Sequence, residues 1–62
     1  MATTDEWMTV DQVLVELEIT RSTWDKWRGR RVGPPMRRLP SGSLRIRRSV
    51  LEAWLDGLED VT

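Results

Sequence analysis

Thr9-Val10-Asp11-Gln12-Val13-Leu14-Val15-Glu16-Leu17-Glu18-Ile19-Thr20-Arg21-Ser22-Thr23-Trp24-Asp25-Lys26-Trp27 carries two helix starts within about a dozen positions. Thr9 followed three residues later by Gln12 is a capping-box pattern, and Met8 and Val13 stand where a hydrophobic staple would close over it. Val10, Val13, Leu14 and Leu17 then repeat at i, i+3, i+4 and i+7, which is one buried stripe, while Asp11, Gln12 and Glu16 fall on the wet side. A first helix is predicted over 9–18. Thr20 is placed to cap a second over 20–30, leaving only a short turn around Ile19. Two short helices joined so tightly read as a helix-turn-helix.

On the second helix Trp24 and Trp27 share a face and are read as its anchors on the first. At 100° per residue the opposite face holds Ser22, Asp25, Lys26 and Gly29, flanked by Arg21 and Arg30. Trp7, before the first helix, is placed to cover the edge of the core.

Outward along the chain, Gly33-Pro34-Pro35 stops helical structure, because two prolines remove amide donors and fix φ. Met36–Leu39 and Leu44–Arg47 are short runs separated by Pro40-Ser41-Gly42-Ser43, a turn cluster whose glycine is available for a positive φ. They predict a β-hairpin over 36–47, with Leu44 and Ile46 on one face and Arg45 and Arg47 on the other, Arg37 and Arg38 lying on the partner strand. Ser49 and Glu52 form a second capping-box pattern. Val50, Leu51, Trp54, Leu55 and Leu58 give the closing helix, 49–58, a broad apolar stripe. The expected architecture is mainly α with a small β-hairpin, a winged helix-turn-helix in a single domain over 1–62. Its ordered core spans about 7–58, with the first and last few residues disordered.

The formal charge of zero conceals a segregation. Residues 1–20 hold Asp5, Glu6, Asp11, Glu16 and Glu18 and no basic residue, a charge of −5. Residues 21–48 hold all ten basic residues against Asp25 alone, +9, and residues 49–62 hold Glu52, Asp56, Glu59 and Asp60, −4. A single-sign field this dense is self-repulsive, and its natural partner is a polyanion such as nucleic acid.

The rest of the inventory excludes more than it offers. With no Cys and no His there is no disulfide, no Cys/His zinc site, no thiolate nucleophile and no imidazole base, so no catalytic residue, metal site or cofactor is expected. No apolar run approaches the ~20 residues that span a bilayer, and the acidic N-terminus is unlike a secretory signal. The chain reads as soluble, cytoplasmic and unprocessed. In a 62-residue domain the ordering cost of about 1.5 kcal/mol per residue nearly cancels the return from apolar burial, so stability is expected to be marginal.

The stretches Met8–Gln12, Leu17–Trp24 and above all Leu44-Arg45-Ile46-Arg47-Arg48-Ser49-Val50-Leu51-Glu52-Ala53-Trp54-Leu55 resemble the excisionase-like branch of the MerR-type DNA-binding domains. That family's hairpin-to-helix junction, R-I-R-R-S-D-L-E-A-W-L, is matched almost residue for residue. The chain departs from the family pattern in having Gln12-Val13-Leu14 for the usual Glu-Ala-Ala, Glu18 for a glycine, and Asp25 for a common aromatic. Its Arg30–Pro35 segment is also longer and richer in proline.

The resemblance implies a module that lays its second helix in the major groove and its hairpin against the adjacent minor groove or backbone. Arg21, Ser22, Thr23, Asp25, Lys26 and Arg30 would then form the recognition-helix surface, and Arg37, Arg38, Ser41, Gly42, Arg45 and Arg47 the wing. The residue types suit the task. Arg reads guanine O6 and N7, Ser and Thr bond phosphates or bases, and wing arginines match a narrow minor groove. Asp25 either accepts from cytosine N4 or pairs with Arg21 or Lys26. Gly29 would let the helix approach the DNA closely.

Excisionase-like proteins are bacterial or phage-encoded factors that bind and bend double-stranded DNA beside an attachment site and direct a tyrosine integrase towards excision. The alternative is a small stand-alone MerR-like transcriptional regulator, and a weaker one an antitoxin-like module docking an acidic protein. Acidic ends on a basic middle further suggest head-to-tail self-association on DNA, the terminus of one monomer meeting the basic flank of the next.

Overall fold

The computed structural model describes residues 5–61. In chain order it contains β1 (Trp7–Thr9), α1 (Val10–Leu17), α2 (Arg21–Arg30), β2 (Arg37–Arg38), β3 (Leu44–Arg47) and α3 (Arg48–Asp56). This is a winged helix-turn-helix with one strand more than the sequence announced. The expected disorder of residues 1–4 and Thr62 lies outside the described residues.

Local chemistry sets each boundary of the helix pair. Thr9 Oγ1 accepts from the Gln12 amide at 3.1 Å while Gln12 Oε1 accepts from the Thr9 amide at 2.8 Å, so the capping box closes in both directions. Thr20 Oγ1 likewise accepts from the Thr23 amide at 3.1 Å. Between the helices Glu18 itself takes the left-handed conformation, φ 55°, and the Ile19 amide reaches back to Leu14 O at 3.0 Å. The turn is thus made without the family's glycine, at the steric cost a Cβ carries there. Arg31 ends α2 the same way, φ 58°, with the Val32 amide donating to Trp27 O at 3.0 Å.

The hairpin forms where predicted, with Arg37 opposite Arg45 and Arg38 opposite Leu44. Gly42, φ 95°, turns it, and the Gly42 amide donates to Leu39 O at 2.8 Å. The unpredicted strand is β1, which pairs antiparallel with β3 so that the sheet order is β1-β3-β2 and Met8 faces Ile46. Three residues running straight into a capping box leave no alternation to read. Pairing with β3 is what makes Trp7–Thr9 a strand.

Met8, Val13, Trp24, Ile46 and Leu51 are buried, with Leu14, Leu17, Trp27, Trp54 and Leu55 packed around them. The core therefore sits between the sheet and all three helices. Val50 and Leu58 leave the expected stripe, at 38% and 49% exposed. α3 presents Leu51 and Leu55 inward, and it ends at Asp56 before Leu58 can join them.

The expected Ser49–Glu52 box is corrected as well. β3 runs directly into α3, which starts one residue early at Arg48, so Ser49 is already inside the helix and Arg47 at the cap position makes no side-chain cap bond. The N-terminal tail does the capping instead. Asp5 accepts from the Ser49 amide at 2.9 Å and from its hydroxyl at 2.7 Å, and the Arg48 amide donates to Glu6 O at 2.9 Å. Asp5 and Glu6 thus belong to the ordered fold, where the sequence put its edge at residue 7.

The Ser49 amide first, then the Ser49 hydroxyl, and more weakly Arg47 hold the Asp5 carboxyl below the ordinary aspartate value of 3.8. A carboxyl lowered by folding contributes stability above its unfolded pKa and loses it as pH falls through the folded one. Asp5→Asn is therefore expected to lower the melting midpoint at pH 7, and the gap to wild type should close as pH drops below about 4. Melts of both proteins across pH 2–7 check this, and a gap that stays constant would exclude the carboxylate as its source.

Candidate nucleic-acid interface

α2 is pinned by Trp24, 2% exposed, and by Trp27, whose ring stands 6.0 Å from that of Trp54 in α3 at a tilt of 51°. With that side fixed, Ser22, Asp25, Lys26, Gly29 and Arg30 all face solvent, so the helix presents the polar surface read from the sequence. A Cβ added at Gly29 would meet nothing within 4 Å. Nothing inside the described fold calls for glycine there, although glycine in mid-helix costs about 1 kcal/mol relative to alanine.

Two expected members of that surface are engaged elsewhere. Thr23 is half-buried and turned into the cap, its hydroxyl accepting from Thr20 at 3.1 Å. Arg21 is exposed, but its Nη2 bonds Asp11 Oδ1 at 2.8 Å, so the expected Asp25–Arg21 pair gives way to one with α1. Asp25 makes no ion pair among the described residues.

The strand register sorts the wing. Arg37 and Arg45 lie directly opposite each other with Thr9 beyond them, which places both side chains on the outer face of the sheet, where Arg45 Nη1 donates to Leu44 O at 2.9 Å. Arg38, opposite Leu44, points to the helix side. Ser41 and Gly42 are exposed at the tip. Arg47 is at the far end of β3, its guanidinium 4.5 Å over the Trp7 ring and 3.6 Å from Asp5. Trp7, 47% exposed, is thus a platform for Arg47 where the sequence made it a cover for the core. Arg21, Ser43 and Arg45 line one shallow cleft, so the start of α2 and the hairpin form a continuous surface.

Ion pairs divide the cations further. Asp11 holds Arg21, Asp5 holds Arg47 and Glu16 holds Arg48. Lys26, Arg28, Arg30, Arg31, Arg37, Arg38 and Arg45 have no carboxylate partner among the described residues. All seven lie on α2, the residue after it, or the hairpin.

Arg28 and Arg31 were not among the expected site residues. They stand four and seven positions beyond Trp24, on the flank of α2 towards the hairpin, and with Arg38 they line an open cleft of about 370 Å³. The spacing from Trp24 was readable, but not the side of α2 on which the hairpin would fold.

A capped helix pair, an exposed second helix and an arginine-rich hairpin beside it define a DNA-binding domain of the winged helix-turn-helix class. Residues 7–58 match a helix-turn-helix domain family, and the chain belongs to it. Comparison with curated proteins and with solved structures finds no match. No helix of the described residues is long and apolar enough to cross a membrane.

Proposed function

We propose that this chain is an excisionase-type accessory factor: a non-catalytic, cytoplasmic protein of bacterial or phage origin that binds and bends double-stranded DNA and biases a tyrosine integrase towards excision. The observation that carries its DNA-binding half is the segregation of the unpaired cations, since carboxylates engage Arg21, Arg47 and Arg48 and leave α2 and the hairpin positively charged. The excision half rests on the resemblance of the Leu44–Leu55 junction to excisionase-like proteins. The exposed face of α2, Ser22, Asp25, Lys26 and Arg30, lies in the major groove, with Gly29 allowing close approach. Arg37, Arg45 and the Ser41-Gly42 tip meet the neighbouring minor groove or backbone.

Reading and holding separate by mutation. Lys26→Ala should relax sequence preference at a cost of about 1–3 kcal/mol on the preferred site, whereas Arg45→Ala should weaken every duplex alike. Titrations on selected and scrambled duplexes distinguish the two, and equal losses for both variants on both duplexes would remove α2 as the reader.

Glu59 and Asp60 are exposed beyond the end of α3 and serve as the acidic end of a head-to-tail contact between neighbouring monomers on DNA. Reversing both charges should reduce cooperativity on a fragment with repeated sites and spare single-site affinity. The wild-type protein should also raise integrase-dependent excision and lower integration on its own attachment region. A stable two-fold dimer on a palindromic promoter, with no effect on recombination, would replace this reading with the transcriptional one.

A further inference from the structure

We infer that the cleft between the C-terminal end of α2 and the hairpin seats one deoxyribose–phosphate unit of the bound duplex, with Arg28, Arg31 and Arg38 on the phosphate. The inference rests on the DNA-binding reading and adds to it a site off the exposed helix face.

The cleft is two-natured. Its inner lining is apolar, with Pro34 buried and Met36 and Leu44 half-buried, while the three arginines around it are exposed and have no carboxylate partner among the described residues. An apolar floor within reach of guanidinium groups matches the repeat of the nucleic-acid backbone, an apolar sugar face next to an anionic phosphate. Arg supplies paired N–H donors to phosphate oxygens.

Two placements bring cations to the cleft. β3 is the central strand, so β2 is an edge, and the register turns Arg38 to the helix side of the sheet beside Leu44. Among the described residues its side chain makes one hydrogen bond, a 3.5 Å contact to Gly42 O. Arg31 occupies a left-handed helix cap, φ 58°, the position glycine fills without strain. A long cation at this cap also lines the cleft, where it is placed to meet an anion. Each placement has a competing explanation: an inward charge on an edge strand guards against aggregation, and cations in a last helical turn complement the helix dipole.

The test is a set of salt titrations of the full chain on a mixed-sequence duplex of about 30 base pairs and on poly-glutamate, with a melt of each variant. Each of Arg28→Gln, Arg31→Gly and Arg38→Gln should flatten the log–log salt slope on duplex, and the three combined should flatten it by about 0.9, the release from one phosphate. They should also weaken duplex binding more than poly-glutamate binding. Arg31→Gly should do so while raising the melting midpoint by a few degrees, since it relieves the cap. Unchanged slopes for these three, with Arg37→Gln and Arg45→Gln still flattening theirs, would overturn the cleft and leave the DNA-binding reading standing. No change for any of the five would overturn both. The cleft is also overturned if poly-glutamate binding weakens as much as duplex binding, if Arg31→Gly lowers stability together with affinity, or if Arg38→Gln causes self-association without loss of binding.

Discussion

Affinity for duplex DNA should fall steeply with salt, with a log–log slope of about −4 to −5. Seven cations have no carboxylate partner among the described residues, and Lys26 is assigned to a base edge. If the remaining guanidinium groups together neutralise roughly five phosphates at about 0.9 each, the slope follows, and raising salt from 50 to 200 mM costs roughly 500-fold. The ion pairs sharpen the expectation. Arg21, Arg47 and Arg48 already have carboxylate neighbours at 2.8, 3.6 and 3.5 Å, so Arg47→Gln and Arg48→Gln should change the slope less than Arg37→Gln. A formal charge of zero makes the measurement decisive, because a neutral molecule without a segregated surface has no reason to show such a slope. A flat titration would remove the nucleic-acid reading altogether.

What the sequence revealed and what it hid divide along local and long-range chemistry. Thr9 with Gln12, and Thr20 with Thr23, act over three residues, and both caps form as read. Gly42 at the hairpin turn is equally local. The Asp5–Ser49 bonds join residues 44 apart, so nothing near Ser49 announced that its amide would be satisfied from the N-terminal tail and its capping box left unmade. β1 became a strand by pairing with β3 and not through any pattern of its own. For the interface, helical phase alone gave the exposed face of α2, whereas Arg28 and Arg31 came to share a cleft with Arg38 only through the side of α2 on which the hairpin lies. Charge counting found the basic segment, but the division of its cations into paired and unpaired needed the tertiary positions of Asp5, Asp11 and Glu16.

Trp24→Ala should leave the chain unfolded at 25 °C. Trp24 is 2% exposed and belongs to a buried cluster of five, supplied by β1, α1, α2, β3 and α3, so its ring is where every larger element of the fold meets. Removing a buried tryptophan costs about 3–5 kcal/mol, and a core this small returns about that much in total. No disulfide or Cys/His metal site is available to absorb the loss. The other tryptophans set the scale of comparison. Trp54 is half-buried and pairs with Trp27 at 6.0 Å, so Trp54→Ala should cost less, including about 0.5–1.5 kcal/mol for the aromatic pair. Trp7, half in solvent beneath the Arg47 guanidinium, should cost least of the three. Circular-dichroism melts should therefore rank the alanine variants Trp24, Trp54, Trp7 from most to least damaged, with no cooperative transition left for the first. A Trp24→Ala protein that melts within a few degrees of wild type would mean that the sheet and helices hold together without their shared contact, and the core assigned here would be wrong.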